Sequence, residues 1–141
     1  MRTIYPLLIL FLISCSNVDG LHRPIDVVKG RDVDSFSTRI DELVGENFYQ
    51  YAIIAPHTSI DELEAQTQTD LTVLRNSKIE YRDDVYILCL FDNGALVEYY
   101  FLSKNLADYG NVANVGPINK EVGLVFRKEN SAYVVDFENQ N

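Results

Sequence analysis

The chain predicts an α+β domain, with one or two short helices packed on an antiparallel β-sheet. Three observations carry this expectation. Aromatic residues are abundant and strand-compatible, with nine Tyr and seven Phe against no Trp, and such side chains suit a pleated, half-buried surface. Only two short stretches have helical apolar spacing. Everything after them reads as strands joined by turn residues, and helices followed by a run of strands indicate helices gathered on one face of a sheet. At 141 residues there is room for one domain.

Residues 15–34 are polar, hold Pro24, Gly20 and Gly30, and show no sustained period. They read as a flexible tether, leaving residues 35–141 as the globular domain. Phe36, Ile40, Leu43 and Val44 fall at i, i+4, i+7 and i+8, one apolar stripe of a short helix. Asp34 or Ser35 can cap its start and Gly45 can end it. Phe48 to Ile54 reads as a strand stopped before Pro56. Ser59-Ile60-Asp61-Glu62 has the spacing of a capping box, and the acids between Ile60 and Gln66 suit a helix N-terminus. Leu71–Leu74 and Lys78–Tyr81 flank Arg75-Asn76-Ser77 as a candidate hairpin.

The run from Val85 to Phe101 is broken only at Asn93-Gly94. Asn-Gly fits a type I′ turn, in which both central residues take positive φ. That turn sets Asp92 opposite Ala95, Leu90 opposite Val97, Leu88 opposite Tyr99 and Tyr86 opposite Phe101. On the other face it sets Phe91 against Leu96, Cys89 against Glu98 and Ile87 against Tyr100. Both faces are mostly apolar, which places this hairpin centrally. Residues 103–120 read as a loop. Val122–Phe126 and Ala132–Phe137 form a last hairpin around Lys128-Glu129-Asn130-Ser131.

The first fourteen residues have a different character. Met1-Arg2-Thr3 is a short positive start, and Ile4 to Ile13 is an unbroken non-polar run. That run matches the hydrophobic region of a signal peptide and falls short of the ~20 residues that span a bilayer. Leu12-Ile13-Ser14-Cys15 follows the pattern aliphatic, small or aliphatic, Gly/Ala/Ser, Cys. These residues resemble the lipobox of bacterial lipoproteins. The resemblance implies cleavage between Ser14 and Cys15, diacylglycerol on the Cys15 sulfur, and a fatty acyl group such as palmitate on the new amine. It also implies an anchor in the bilayer of the cell envelope. Ser16 after the cysteine leans toward the outer membrane, facing the periplasm, in the sorting pattern of that family. Pro6 within the hydrophobic run and a lone basic residue depart from the family's usual segment.

Charge narrows the partners. Arg2 is the only charged side chain among residues 1–14, so the remainder carries 11 basic and 21 acidic groups. That field repels polyphosphate and argues against nucleic acid. No cofactor or metal is expected, because no Cys-x-x-Cys, His-x-x-x-His, Gly-x-Ser-x-Gly or phosphate-cradling glycine loop occurs. His57 precedes a helix start and has no identifiable acid partner. Asp83-Asp84 reads as a turn. With Cys15 lipidated, Cys89 is left as a lone thiol in an apolar run, the pattern of a small buried hydrophobe. Glu98 opposite Cys89 needs a cation or water if that face is covered. Tyr99, Tyr100 and Tyr109 offer interface-type side chains, although core packing explains at least one of each adjacent pair. The expectation is a non-enzymatic envelope lipoprotein that binds a protein partner. The alternative is a periplasmic inhibitor or immunity-type lipoprotein that neutralises a toxin or hydrolase through its acidic surface.

Mass spectrometry of the mature chain should find an acylated N-terminal Cys15. Cys15→Ala should leave the precursor uncleaved. An intact Met1, or a free Cys15 thiol after cleavage elsewhere, would refute the lipobox.

Overall fold

The computed structural model describes residues 24–45 and 47–139. The signal segment, Ser14 and Cys15 lie outside the described residues. The chain forms β1 (Pro24–Ile25), β2 (Ser35–Thr38), α1 (Ile40–Val44), β3 (Gln50–Ile54) and α2 (Ile60–Thr67). Two 3₁₀ helices follow, Thr72–Ser77 and Ile79–Tyr81. Then come β4 (Val85–Asp92), β5 (Ala95–Ser103), β6 (Ala107–Asp108), β7 (Ile118–Asn119), β8 (Leu124–Glu129) and β9 (Ala132–Phe137). The fold is α+β with short helices on a sheet, as the sequence predicts. The strands make two sheets, ordered β1-β5-β4-β3-β7 and β2-β8-β9-β6. Pairing is antiparallel except for the short strands β1 on β5 and β6 on β9, which are parallel.

The layers follow from the alternation of β4. Ile87, Cys89 and Phe91 point to one side, where Ile60, Leu71, Leu74 and Ile79 of the helical segment cover them. Tyr86, Leu88 and Leu90 point to the other, where they meet Leu124, Phe126, Tyr133 and Val135 of the second sheet. The molecule is therefore a helical layer, a five-stranded sheet and a four-stranded sheet. Every residue from Val85 to Phe91 is buried.

The Asn93-Gly94 turn is as expected, with φ of 50° and 76°. The register beyond it is not. Phe91 pairs with Leu96 but Leu90 pairs with Glu98, so Val97 is the extra residue of a β-bulge. From there Cys89 faces Tyr99, Leu88 faces Tyr100, Ile87 faces Phe101 and Tyr86 faces Leu102. Each of these partners lies one residue beyond the plain-turn expectation. Unbulged pairing would set the Glu98 carboxylate beside Cys89 under the helical layer, where an unpaired charge is costly. The bulge puts Tyr99 there and leaves Glu98 exposed.

Four other expectations are corrected. The stripe Phe36, Ile40, Leu43, Val44 belongs to two elements. Ser35–Thr38 alternates and pairs with β8, with Phe36 stacked on Phe126 at 4.7 Å. The helix starts only at Ile40, where the Glu42 carboxylate accepts the Arg39 N–H. Gly45 does end it, donating to Asp41 O. The hairpin expected over Leu71–Tyr81 is instead the pair of 3₁₀ helices. Local side chains take its backbone donors: Glu64 takes Leu71 N, Asp70 takes Thr72 N and Ser77 Oγ takes Ile79 N. The last hairpin turns tightly at Asn130-Ser131, with Asn130 at φ 59°; its second strand is Ala132–Phe137 as expected, but its first runs Leu124–Glu129 rather than Val122–Phe126. Residues 103–120 contribute β6 and β7 rather than loop alone.

The tether boundary also moves. Pro24 and Ile25 pair with Phe101 and Leu102, Val27 is buried, and Lys128 reaches Asp32 at 3.1 Å. The Tyr133 hydroxyl donates to the carbonyl of Val33 at 2.8 Å and lies 3.3 Å from that of Arg31. Residues 24–34 thus belong to the folded unit, where the sequence reads them as tether.

Two measurements check this account. Gly94→Val should be among the most damaging changes outside the core, because a β-branched residue is strained at positive φ; an unchanged denaturation midpoint would refute the turn. Deleting residues 24–34 should lower the melting temperature by more than about 10 °C. That figure corresponds to roughly 2–3 kcal/mol in a domain of this size.

Candidate functional site

The structure places His57 on the surface, buries Cys89 and leaves Glu98 exposed. His57 sits on the exposed β3–α2 connection with φ 62°. Its N–H donates to Ile79 O at 2.9 Å, and its Nδ1 lies 3.3 Å from the Glu80 carbonyl. Those contacts pin the loop to the second 3₁₀ helix. The nearby Glu80 carboxylate is engaged by the Ile60 N–H at 2.7 Å, a donor at the start of α2. Asp83 and Asp84 do not act as a carboxylate pair. Asp84 is held by Arg82 at 2.7 and 2.8 Å, and that guanidinium keeps its carboxyl below the usual range.

Cys89 is fully buried between the helical layer and the sheet. Desolvation pushes its thiol pKa far up. A nucleophilic cysteine needs the opposite environment, exposed and electropositive, so burial leaves Cys89 a packing residue. Glu98 is exposed and lies by Tyr100, whose hydroxyl is pushed up to about 12 by desolvation first and by the Glu98 carboxylate second. Tyr99 packs in the core against Cys89 and edge-on to Phe101 at 6.0 Å. Tyr109 is also core, edge-on to Tyr86 and Phe126.

Two polar constellations were not foreseen. The Tyr86 hydroxyl donates to Asp108 Oδ1 at 2.7 Å, and the same oxygen accepts Gly110 N at 2.9 Å. Desolvation, then the Asp108 hydrogen bond, raises Tyr86 to about 12, while that bond lowers Asp108. The pair ties the β6 turn to β4. The second is Asn114, at φ 56°. Its N–H donates to Ile53 O at 2.8 Å, its Oδ1 accepts Ala55 N at 3.1 Å, and its Nδ2 donates to Thr58 Oγ1 at 3.1 Å. No spacing in the sequence announces either, because the partners are 22 and 56 to 61 residues apart; the one local signal is Asn itself, which tolerates the left-handed region.

Asn114 fastens a strap, residues 113–117, beside an apolar cleft lined by Ala52, Ile54, Leu63, Leu71, Phe91 and Pro117. The space a water-sized sphere can occupy there is about 20 Å³. Ligand sites run to roughly 300–1,000 Å³, so this cleft is a packing gap. Among the described residues no three His, Cys, Asp or Glu side chains are grouped to hold a metal ion.

What the surface does offer is exposed aromatic side chains. Tyr81 is 83% exposed and Tyr49 is 64% exposed. Tyr81 stands on a firmly held turn: its N–H donates to Lys78 O at 2.9 Å, and Lys78 takes a left-handed φ of 56°. The next residue, Arg82, is fixed by Asp84 and lies over the Phe101 ring at 5.1 Å. Comparison of the chain with protein-family models, curated proteins and solved structures finds no match.

Two outcomes test this reading of the site. Cys89→Ala should cost on the order of 1–3 kcal/mol, as expected for a packed buried side chain, and Cys89 should resist thiol reagents until the protein unfolds. Rapid labelling of the native protein would make Cys89 accessible and refute its burial. Tyr86 is also raised above its ordinary value near 10. Its contribution is therefore complete below pH 10 and lost as pH climbs toward about 12. Urea titrations of Tyr86→Phe should show a shallower loss of stability across that window than the wild type. An identical slope would show that Tyr86 is not raised above its ordinary value in the folded chain.

Proposed function

We propose that this chain is a lipoprotein of the bacterial envelope, held on the bilayer by acylated Cys15, whose domain is a non-enzymatic protein-binding module. The anchor rests on the signal segment and its lipobox. Two or three acyl chains hold a protein stably on a membrane, where one does so only marginally. The outer membrane, with the domain in the periplasm, is the location that Ser16 favours.

The observation that carries the binding role is Tyr81. Ordering a flexible loop on association costs free energy, and the Lys78–Arg82 turn is already held by backbone bonds and the Arg82–Asp84 pair. Tyrosine offers a large contact area with few rotors to freeze, and Tyr and Arg are enriched among residues that dominate binding energy. The alternative, an inhibitor of a toxin or hydrolase, draws support from the acidic balance, which would steer the domain toward a basic cleft.

Affinity isolation of the full chain from detergent-solubilised membranes tests both. Tyr81→Ala should melt like the wild type and bind the co-isolated partner about 30-fold more weakly, the equivalent of roughly 2 kcal/mol. Undiminished capture by Tyr81→Ala would remove the turn from the binding surface. A captured hydrolase or toxin whose activity falls on adding the chain would favour the inhibitor.

A further inference from the structure

We draw no further inference here: the strongest candidate, the outer edge of β5 from Ala95 to Tyr100 beside the two-residue strand β1, carries nothing because nothing among the described residues shows what covers it.

Discussion

Strand β4 has no solvent face, and the rest of the architecture answers that constraint. Seven consecutive residues, Val85 to Phe91, are buried, and a strand sends alternate side chains to opposite sides. A single covered face would leave either Tyr86, Leu88 and Leu90 or Ile87, Cys89 and Phe91 in water. Each large apolar side chain left exposed forgoes about 1.5–3 kcal/mol, an upper figure because the unfolded chain already buries some surface. Two covering layers are therefore required, and the chain supplies two of different kinds. The stretch from Ile60 to Tyr81, built on α2 and the two 3₁₀ helices, lays Ile60, Leu71, Leu74 and Ile79 over one side. The C-terminal hairpin supplies Leu124, Phe126, Tyr133 and Val135 for the other.

The second sheet would be a poor cover by itself, since β8 and β9 make only a two-stranded ribbon. Its flanks come from distant segments. β2 pairs along β8 and stacks Phe36 on Phe126, and β6 pairs with β9 in parallel. Tyr133 then binds the backbone of residues 31–33 through its hydroxyl. The segment around Arg31 and Val33 is thus fixed to the same layer that covers β4. Residues 16–23 lie between Cys15 and Pro24, the first paired residue among those described. At about 3.3–3.6 Å per residue they reach at most about 30 Å. On the lipoprotein reading, the domain works close to its membrane.

The central hairpin was legible because two independent signals agreed on it, an Asn-Gly turn and long apolar runs. Its bulge was not legible, because a bulge here is decided by the cost of burying Glu98, and that cost depends on what covers the face. Phe36 misled for a related reason. It satisfies helical spacing with Ile40 and also strand alternation with Ser35 and Ser37, and only the partner strand resolves the choice. The segment from Leu71 to Tyr81 has strand-like composition, but Asp70 just before it and Ser77 within it satisfy its backbone locally. Two-residue strands such as β1, β6 and β7 are too short to show any period. Of the site residues, Cys89 was legible as core from its apolar neighbours. Tyr81 was hidden inside a misread hairpin, where alternation offered no reason to expect a protruding ring.

The distribution of charge bears on what such a surface can meet. Many of the cations are spent locally. Arg39 binds Asp41 and Arg82 binds Asp84, each only two residues away, and Arg75, Arg127 and Lys128 also hold carboxylates. Local pairing cancels those charges at short range without changing the balance of 12 basic against 21 acidic groups over the chain. At physiological ionic strength fields fade over about 8 Å. A partner therefore meets the acidic excess on approach and the local geometry only on contact. The first property disfavours anionic surfaces and polyphosphates and favours neutral or basic ones. The second is where the Tyr81 turn matters: its charged neighbours Arg82 and Asp84 are already matched to each other. On the protein-binding reading, a partner at this turn need not pair those two charges, and shape and aromatic contact contribute to affinity.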